Sequence, residues 1–227
     1  MTADELGHFF DGMTGQYTET IERCFPRYRE MLWALLRYLP ELPPAPRILE
    51  LGCGTGNLTV LLAARYPEAR IEAMDISTES LAVARQRLNQ NDRIHFQSAD
   101  MQALDANATF DLVVSSIAIH HLNSSAKRTL FTSIHRCLHP NGCFAYADQF
   151  RGMTDAINEI HMDGWKTLTY SAGSNEEEWA MWMDHQRNHD VHDTLQDQFS
   201  WLRSAGFENV DCVWRYLLWS VLVAHRV

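Results

Sequence analysis

From Arg47 onward, short apolar runs alternate with longer amphipathic stretches. The runs at 48–51, 71–76, 94–96, 110–115 and 143–147 predict strands, and the stretches 58–65, 80–89 and 126–138 carry helical periodicity between them. A parallel strand pair needs a crossover of a dozen or more residues, so this alternation predicts right-handed βαβ units around a doubly wound parallel sheet, a Rossmann-like α/β class.

Two segments fall outside the alternation. Residues 1–44 read as a helical cap, closed by Pro43-Pro44-Ala45-Pro46, a stiff stretch that cannot continue a helix. Residues 151–197 form an insertion after the fifth strand, too long for a simple connection, with helices expected at 156–169 and 176–189. The closing stretch 207–227 shows two β-like runs split near Trp219-Ser220, which suits an antiparallel hairpin at the sheet edge.

Composition narrows this to one domain: 227 residues, 46% of them hydrophobic and 21% charged, suit a single core with a small appended lid. The net charge of −10 arises from 29 acidic against 19 basic residues, with no basic stripe, which argues against nucleic acid as a partner. The N-terminus lacks a basic region followed by an apolar one, and the apolar stretch 31–39 is short and broken by Arg37. Neither a secretory signal nor a membrane span is expected, and a cytosolic setting follows. Five cysteines without a C-x-x-C pair fit free thiols in a reducing compartment.

The chemistry concentrates at Glu50-Leu51-Gly52-Cys53-Gly54-Thr55-Gly56, where a glycine turn follows a strand and precedes a helix. A dinucleotide fold spaces its glycines G-x-G-x-x-G to seat a pyrophosphate on the helix N-terminus. Here the third glycine comes one residue earlier and Glu50 adds an acid, which suits a ligand with an amino-acid group and a sulfonium but no phosphate. Close approach of the backbone to that ligand requires residues without Cβ. Asp75 ends the second strand, placed to accept two ribose hydroxyls, and Asp100-Met101 follow the third, placed to hold an adenine. Each acid alone could be a cap or turn residue. Three in register at successive strand ends point to a site.

The ordered series of Ile48 to Gly56, Met74-Asp75-Ile76, Ala99-Asp100-Met101, Phe110-Asp-Leu-Val-Val and Leu138-His-Pro-Asn-Gly142 resembles the class I S-adenosylmethionine-dependent methyltransferases over about residues 45–150. The resemblance implies a seven-stranded sheet with the last strand antiparallel, and cofactor contacts at Glu50, Gly52, Cys53, Gly54, Gly56, Asp75, Ile76, Asp100 and Met101. A narrower resemblance, carried by residues 21–28, the insertion, Trp201-Leu-Arg-Ser-Ala-Gly-Phe207 and Ser220-Val-Leu-Val-Ala, is to the carboxy-S-adenosylmethionine synthases. It implies Tyr28 at the amino-acid end of the cofactor, a contact from Ser116 on the fourth strand, and a homodimer. The arginine that grips the extra carboxylate in those enzymes falls at Met183, and a thioether cannot do so.

His120 and His121 follow the fourth strand, and His120 is a candidate general base, as against a structural histidine. Asp148 lies at the end of the fifth strand, toward the same crevice. His185, His189 and His192 share one helical face; a solvated polar face is the expectation there, and no metal is assigned. Trp165, Tyr170, Trp179 and Trp182 either close over the cofactor and stack on its cation, with Tyr170 as the catalytic candidate, or pack the insertion onto the sheet. Methyl transfer to a small-molecule acceptor leads the functional readings. Use of the cofactor without methyl transfer is the alternative, either as a carboxy-type modification or as cyclisation of its aminobutyrate chain with release of methylthioadenosine. An interaction module that merely keeps the pocket is a third reading, disfavoured by the intact turn.

Overall fold

The computed structural model describes residues 23–25, 27–88 and 91–227. Helix α1 (Tyr28–Arg37) leads into β1 (Arg47–Leu51), α2 (Asn57–Arg65), β2 (Arg70–Asp75), α3 (Thr78–Leu88), β3 (Ile94–Ser98), β4 (Phe110–Ser116), α4 (Ser124–Cys137) and β5 (Leu138–Gln149). Then come α5 (Asp155–Ser171), α6 (Glu176–His189), α7 (Leu195–Ser204), β6 (Glu208–Tyr216) and β7 (Trp219–His225). The seven strands form one sheet in the order β3-β2-β1-β4-β5-β7-β6. The pairs from β3 to β5 are parallel, and β7 runs antiparallel to both β5 and β6. The expected sheet, including its antiparallel last strand, is therefore present.

Side chains alternate between the two faces. On β1, Ile48 joins one core and Leu49 and Leu51 the other; on β5, Cys143, Ala145 and Ala147 oppose Phe144 and Tyr146. Helices cover both faces, so the central strands read as nearly unbroken apolar runs. Glu50 shares the face of Ile48, and it is the one acid on β1.

The boundaries shift for local reasons. Helix α4 begins at Ser124 because the Asn123 side chain accepts from Ala126 N, and Leu138 opens β5 instead of closing the helix. Helix α3 starts at Thr78 and ends at Leu88, with position 89 outside the described residues. The hairpin turns at Leu217-Leu218, so Trp219 and Ser220 belong to β7. The insertion ends earlier than expected: Thr194 and Asp197 form a capping box that starts α7, so residues 195–197 belong to a helix packed on α4 and β6. Of the expected N-terminal cap, residues 1–22 and 26 lie outside the described residues.

The insertion is fastened to the body by aromatics. Phe25, Trp165, Trp182 and Trp219 pack at ring-centroid distances of 5.6–6.2 Å, and Trp179 meets Trp165 at 5.0 Å. Trp165 donates its indole N–H to Cys24 O, and Arg23 pairs with Glu178 at 2.9 Å. The packing alternative for these tryptophans is thus the observed one. All five cysteines are free thiols. Among the described residues no helix is long and apolar enough to cross a membrane.

Candidate functional site

Between Leu51 and Asn57 the chain enters the left-handed region three times, with φ of 68° at Gly52, 52° at Gly54 and 84° at Gly56. Gly52 N and Cys53 N donate to Met74 O at 2.8 and 3.0 Å, which ties the turn to the end of β2. A Cβ on Gly52 would stand 2.3 Å from Ala118 Cβ, so this glycine permits a close approach of the chain after β4. A Cβ on Gly54 would meet nothing within 4 Å. Gly56 is different: it does not line the cavity, and its missing Cβ lets α2 pack on Ala84 of α3 at 3.3 Å. Helix packing is what its missing Cβ serves in this structure.

The turn opens onto a cavity of about 400 Å³ at the carboxyl ends of β1, β2 and β4. Every other expected cofactor residue lines it: Tyr28, Glu50, Gly52, Cys53, Gly54, Asp75, Ile76, Asp100, Met101 and Ser116. Glu50 is 1% exposed, and its Oε2 has no hydrogen-bond partner among the described residues. Burial pushes its carboxyl up to about 8; Asp75 adds repulsion and the neighbouring Thr59 hydroxyl offsets part of the rise. Tyr28 lies nearby, its hydroxyl accepting from Asn57 Nδ2 at 3.4 Å, and burial pushes it up to about 12. Asp75 accepts from Gly54 N at 2.7 Å through Oδ2 and from Ser77 N at 2.8 Å through Oδ1, so it braces the turn while facing the cavity. Asp100 caps the short helical turn Met101–Ala103 by accepting from Gln102 N at 2.8 Å. The cap and turn roles weighed for these acids are real, and they coexist with positions on the cavity wall.

The three catalytic candidates part company. His120 and Asp148 meet, Nδ1 to Oδ1 at 2.5 Å, and His120 N donates to Asp148 Oδ2 at 3.0 Å, but neither residue lines the large cavity. Burial works against a charged His120 ring, but Asp148 and Asp190 outweigh it and hold the ring above its ordinary value. It is His121 that faces the cavity, and burial beside His120 lowers it to about 4. Tyr170 is misplaced by the sequence reading: it is 36% exposed at the end of α5, bonded to Glu176, and away from the cavity. Trp165 and Trp182 do not reach the large cavity; they line a small inner one of about 20 Å³ together with His120, His121, His185 and Gln149.

Of the histidine face expected to be solvated, His185 is buried and His189 and His192 are half-buried. Helix α6 ends at His189, and Asp190 turns the chain back under the cavity, where Val191 N donates to His120 O at 2.8 Å. Lys127, itself buried, pins this loop through Asp193 at 2.7 Å and through Val191 O. Asp190, which the sequence places beside that histidine face, lies on the wall together with Ala118 and Asn188, which were not singled out. An acid just beyond a helix end carries no signal of burial until the loop is seen folding back onto β4 and β5. Met183 packs against the core, and Arg187, on the cavity wall, is the one lysine or arginine among the described lining residues.

The methyltransferase-domain family matches residues 48–142. The chain is 40% identical to a trans-aconitate 2-methyltransferase of Methylobacterium nodulans over 111 residues, 49% of this chain and 41% of that protein. It is 35% identical to a malonyl-[acyl-carrier protein] O-methyltransferase of Legionella pneumophila over 133 residues, 58% of this chain and 46% of that protein. The chain thus spans less than half the length of these curated relatives. Among solved structures it is similar to a chain of the complex between the Haloferax volcanii Trm112 methyltransferase activator and a methyltransferase, with a TM-score of 0.71, 16% identity, and coverage of 96% of this chain and 97% of that one. It is also similar to Haemonchus contortus phosphoethanolamine N-methyltransferase 2 in complex with S-adenosyl-L-methionine, with a TM-score of 0.63, 21% identity, and coverage of 89% and 45%. At these identities the structures establish the shared fold.

Proposed function

We propose that the chain, whose residues 48–142 match the methyltransferase-domain family, is a class I enzyme transferring the methyl group of S-adenosylmethionine to a small-molecule acceptor. The observation that carries the proposal is the buried Glu50 Oε2, without a hydrogen-bond partner among the described residues, in a cavity also lined by Asp75, Asp100 and Met101. In this reading Glu50 and Tyr28 receive the amino-acid end, Asp75 the ribose hydroxyls, and Asp100 with Met101 the adenine. Gly52, Cys53, Gly54, Ile76 and Ser116 shape the walls between them. When bound, the cofactor supplies an activated methyl on a good leaving group. The chain's own residues then align the two reactants and exclude water, which is where most of the rate would come from.

The acceptor class that fits is a small carboxylic acid. Arg187 offers a cation at the cavity wall, and the names of the trans-aconitate and malonyl-[acyl-carrier protein] methyltransferases point the same way. The cytosolic setting and the homodimer belong to the same proposal, the latter resting on the narrower resemblance and checked by size-exclusion chromatography with light scattering. The cofactor assignment is tested by calorimetry with S-adenosylhomocysteine. Asp75→Ala removes a charged acceptor from two hydroxyls and loosens the turn, so binding should weaken by about 2–3 kcal/mol. An unchanged dissociation constant would mean that Asp75 only braces the turn.

A further inference from the structure

Asp190 is an unusual residue to find sealed in. Its side chain is 4% exposed, and three imidazole nitrogens surround its Oδ1: His121 Nδ1 at 3.1 Å, His185 Nε2 at 3.4 Å and His120 Nε2 at 3.7 Å. His192 Nε2 stands 3.7 Å from Oδ2. Four imidazole nitrogens thus stand within 3.7 Å of one carboxylate. His120 is fixed from behind, because Asp148 Oδ1 holds its Nδ1 at 2.5 Å and is itself held by Gln149 N at 2.8 Å. That leaves Nε2 facing Asp190, the carboxylate–imidazole arrangement by which proteins orient a histidine toward a metal.

The spacing agrees with the same reading. Donor atoms around an ion with bonds of about 2.1 Å stand about 3.0–3.4 Å apart in octahedral or tetrahedral geometry, and the distances here run from 3.1 to 3.7 Å. The ligand atoms of His120, His121 and Asp190 all lie within 4.8 Å of one another. Two buried carboxylates, Asp148 and Asp190, share the cluster, whereas the nearby Lys127 is engaged by Asp193. A dication would balance them. Imidazoles with a single carboxylate suit zinc, iron, cobalt or nickel better than magnesium or calcium.

We propose that His120, His121 and Asp190 bind one first-row transition-metal dication, with His185 packed beside them. His121 and Asp190 line the large cavity, and with His120 and His185 they also line the small inner one, so an open coordination position would face both. There the ion would polarise an acceptor oxygen, a consequence that rests on the methyl-transfer reading, whereas metal binding does not.

The test is a titration of the chelator-stripped full-length chain with Co²⁺ alone, followed by visible d–d absorption, with Zn²⁺ as competitor and S-adenosylhomocysteine binding measured in parallel. The expected result is one equivalent of Co²⁺ displaced by one of Zn²⁺, loss of the absorption in His120→Ala and Asp190→Asn, and about 10–100-fold weaker binding in Asp148→Asn. Circular dichroism checks each variant's fold, and His121→Gln, which nearly keeps the volume, should weaken binding while remaining folded. Absence of d–d absorption in the wild type, or wild-type uptake by folded His120→Ala and Asp190→Asn, overturns the site. Uptake of Co²⁺ without S-adenosylhomocysteine binding would instead leave the metal site standing and remove the cofactor reading.

Discussion

Glu50 turns the cofactor pocket into a titratable element, and its replacement by glutamine has a sign that can be worked out. Its carboxyl is raised from 4.5 to about 8 by burial, so the folded protein keeps it neutral where the unfolded chain would ionise it. A group raised on folding contributes its stability fully below its unfolded value and loses it as pH rises through its folded value. Between pH 4.5 and 8 the wild type should therefore lose stability, by an amount at pH 7 on the order of 3 kcal/mol, taken as 2.5 units at 1.36 kcal/mol each. Because the residue is sealed from solvent, no large discount for screening applies. Glu50→Gln is neutral at every pH and should be more stable than the wild type at pH 7 and flatter across the range. The same argument requires binding of the cofactor's ammonium to expel the proton, about 0.9 per site at pH 7. Urea denaturation at pH 5 and 8 reads the first effect, and calorimetry of S-adenosylhomocysteine in buffers of different ionisation enthalpy reads the second. Equal pH slopes in the two proteins, together with no proton release by the wild type, would refute the reasoning.

Other expectations follow from the same geometry. Gly54→Ala should weaken S-adenosylhomocysteine binding and cost about 1–2 kcal/mol of stability for a side chain at φ 52°, measured by calorimetry and denaturation. Lys127→Ala breaks a buried ion pair and should lower stability by about 3–5 kcal/mol, with the 190–193 loop gaining faster amide exchange. Tyr170→Ala should leave cofactor affinity and product formation unchanged, since Tyr170 meets Glu176 and not the cavity. Mass spectrometry of the purified protein should find no carboxylated cofactor, because Met183, partly buried against the core, offers no cation for the extra carboxylate.

Much of the site was legible because its constraints are local. The glycine turn demands positive φ within five residues, and Asp75 and Asp100 sit at strand ends that the apolar runs already marked. Gly56 shows the limit of that logic: its φ was foreseeable, but not that Ala84, 28 positions away, would take the space a ligand contact needs. His120 and Asp148 were both singled out, yet their bond could not be, since it depends on the register that sets Ser116 beside Ala147. The histidines of α6 carry a helical spacing that fits a solvated face and a buried one equally well. Only the return of Asp190 beneath β4 decides between them. The insertion aromatics had two readings for the same reason, and Phe25, from the far end of the sequence, is what makes them a core. Helix α7 went unrecognised because its capping box opens inside a polar stretch that otherwise reads as more insertion.

The central claim is that the pocket presents a methyl group to an acceptor, and the nucleoside left behind reports which bond to sulfur was broken. The decisive measurement is chromatography of the adenosine-containing products after incubation with methyl-labelled S-adenosylmethionine, first alone and then with a panel of small carboxylic acids. Enzyme-dependent S-adenosylhomocysteine, with label in one of the acids and only when that acid is present, is the predicted result. Enzyme-dependent methylthioadenosine above the spontaneous rate, formed with no acceptor, would contradict it and show that the cofactor's own side chain is the carbon attacked.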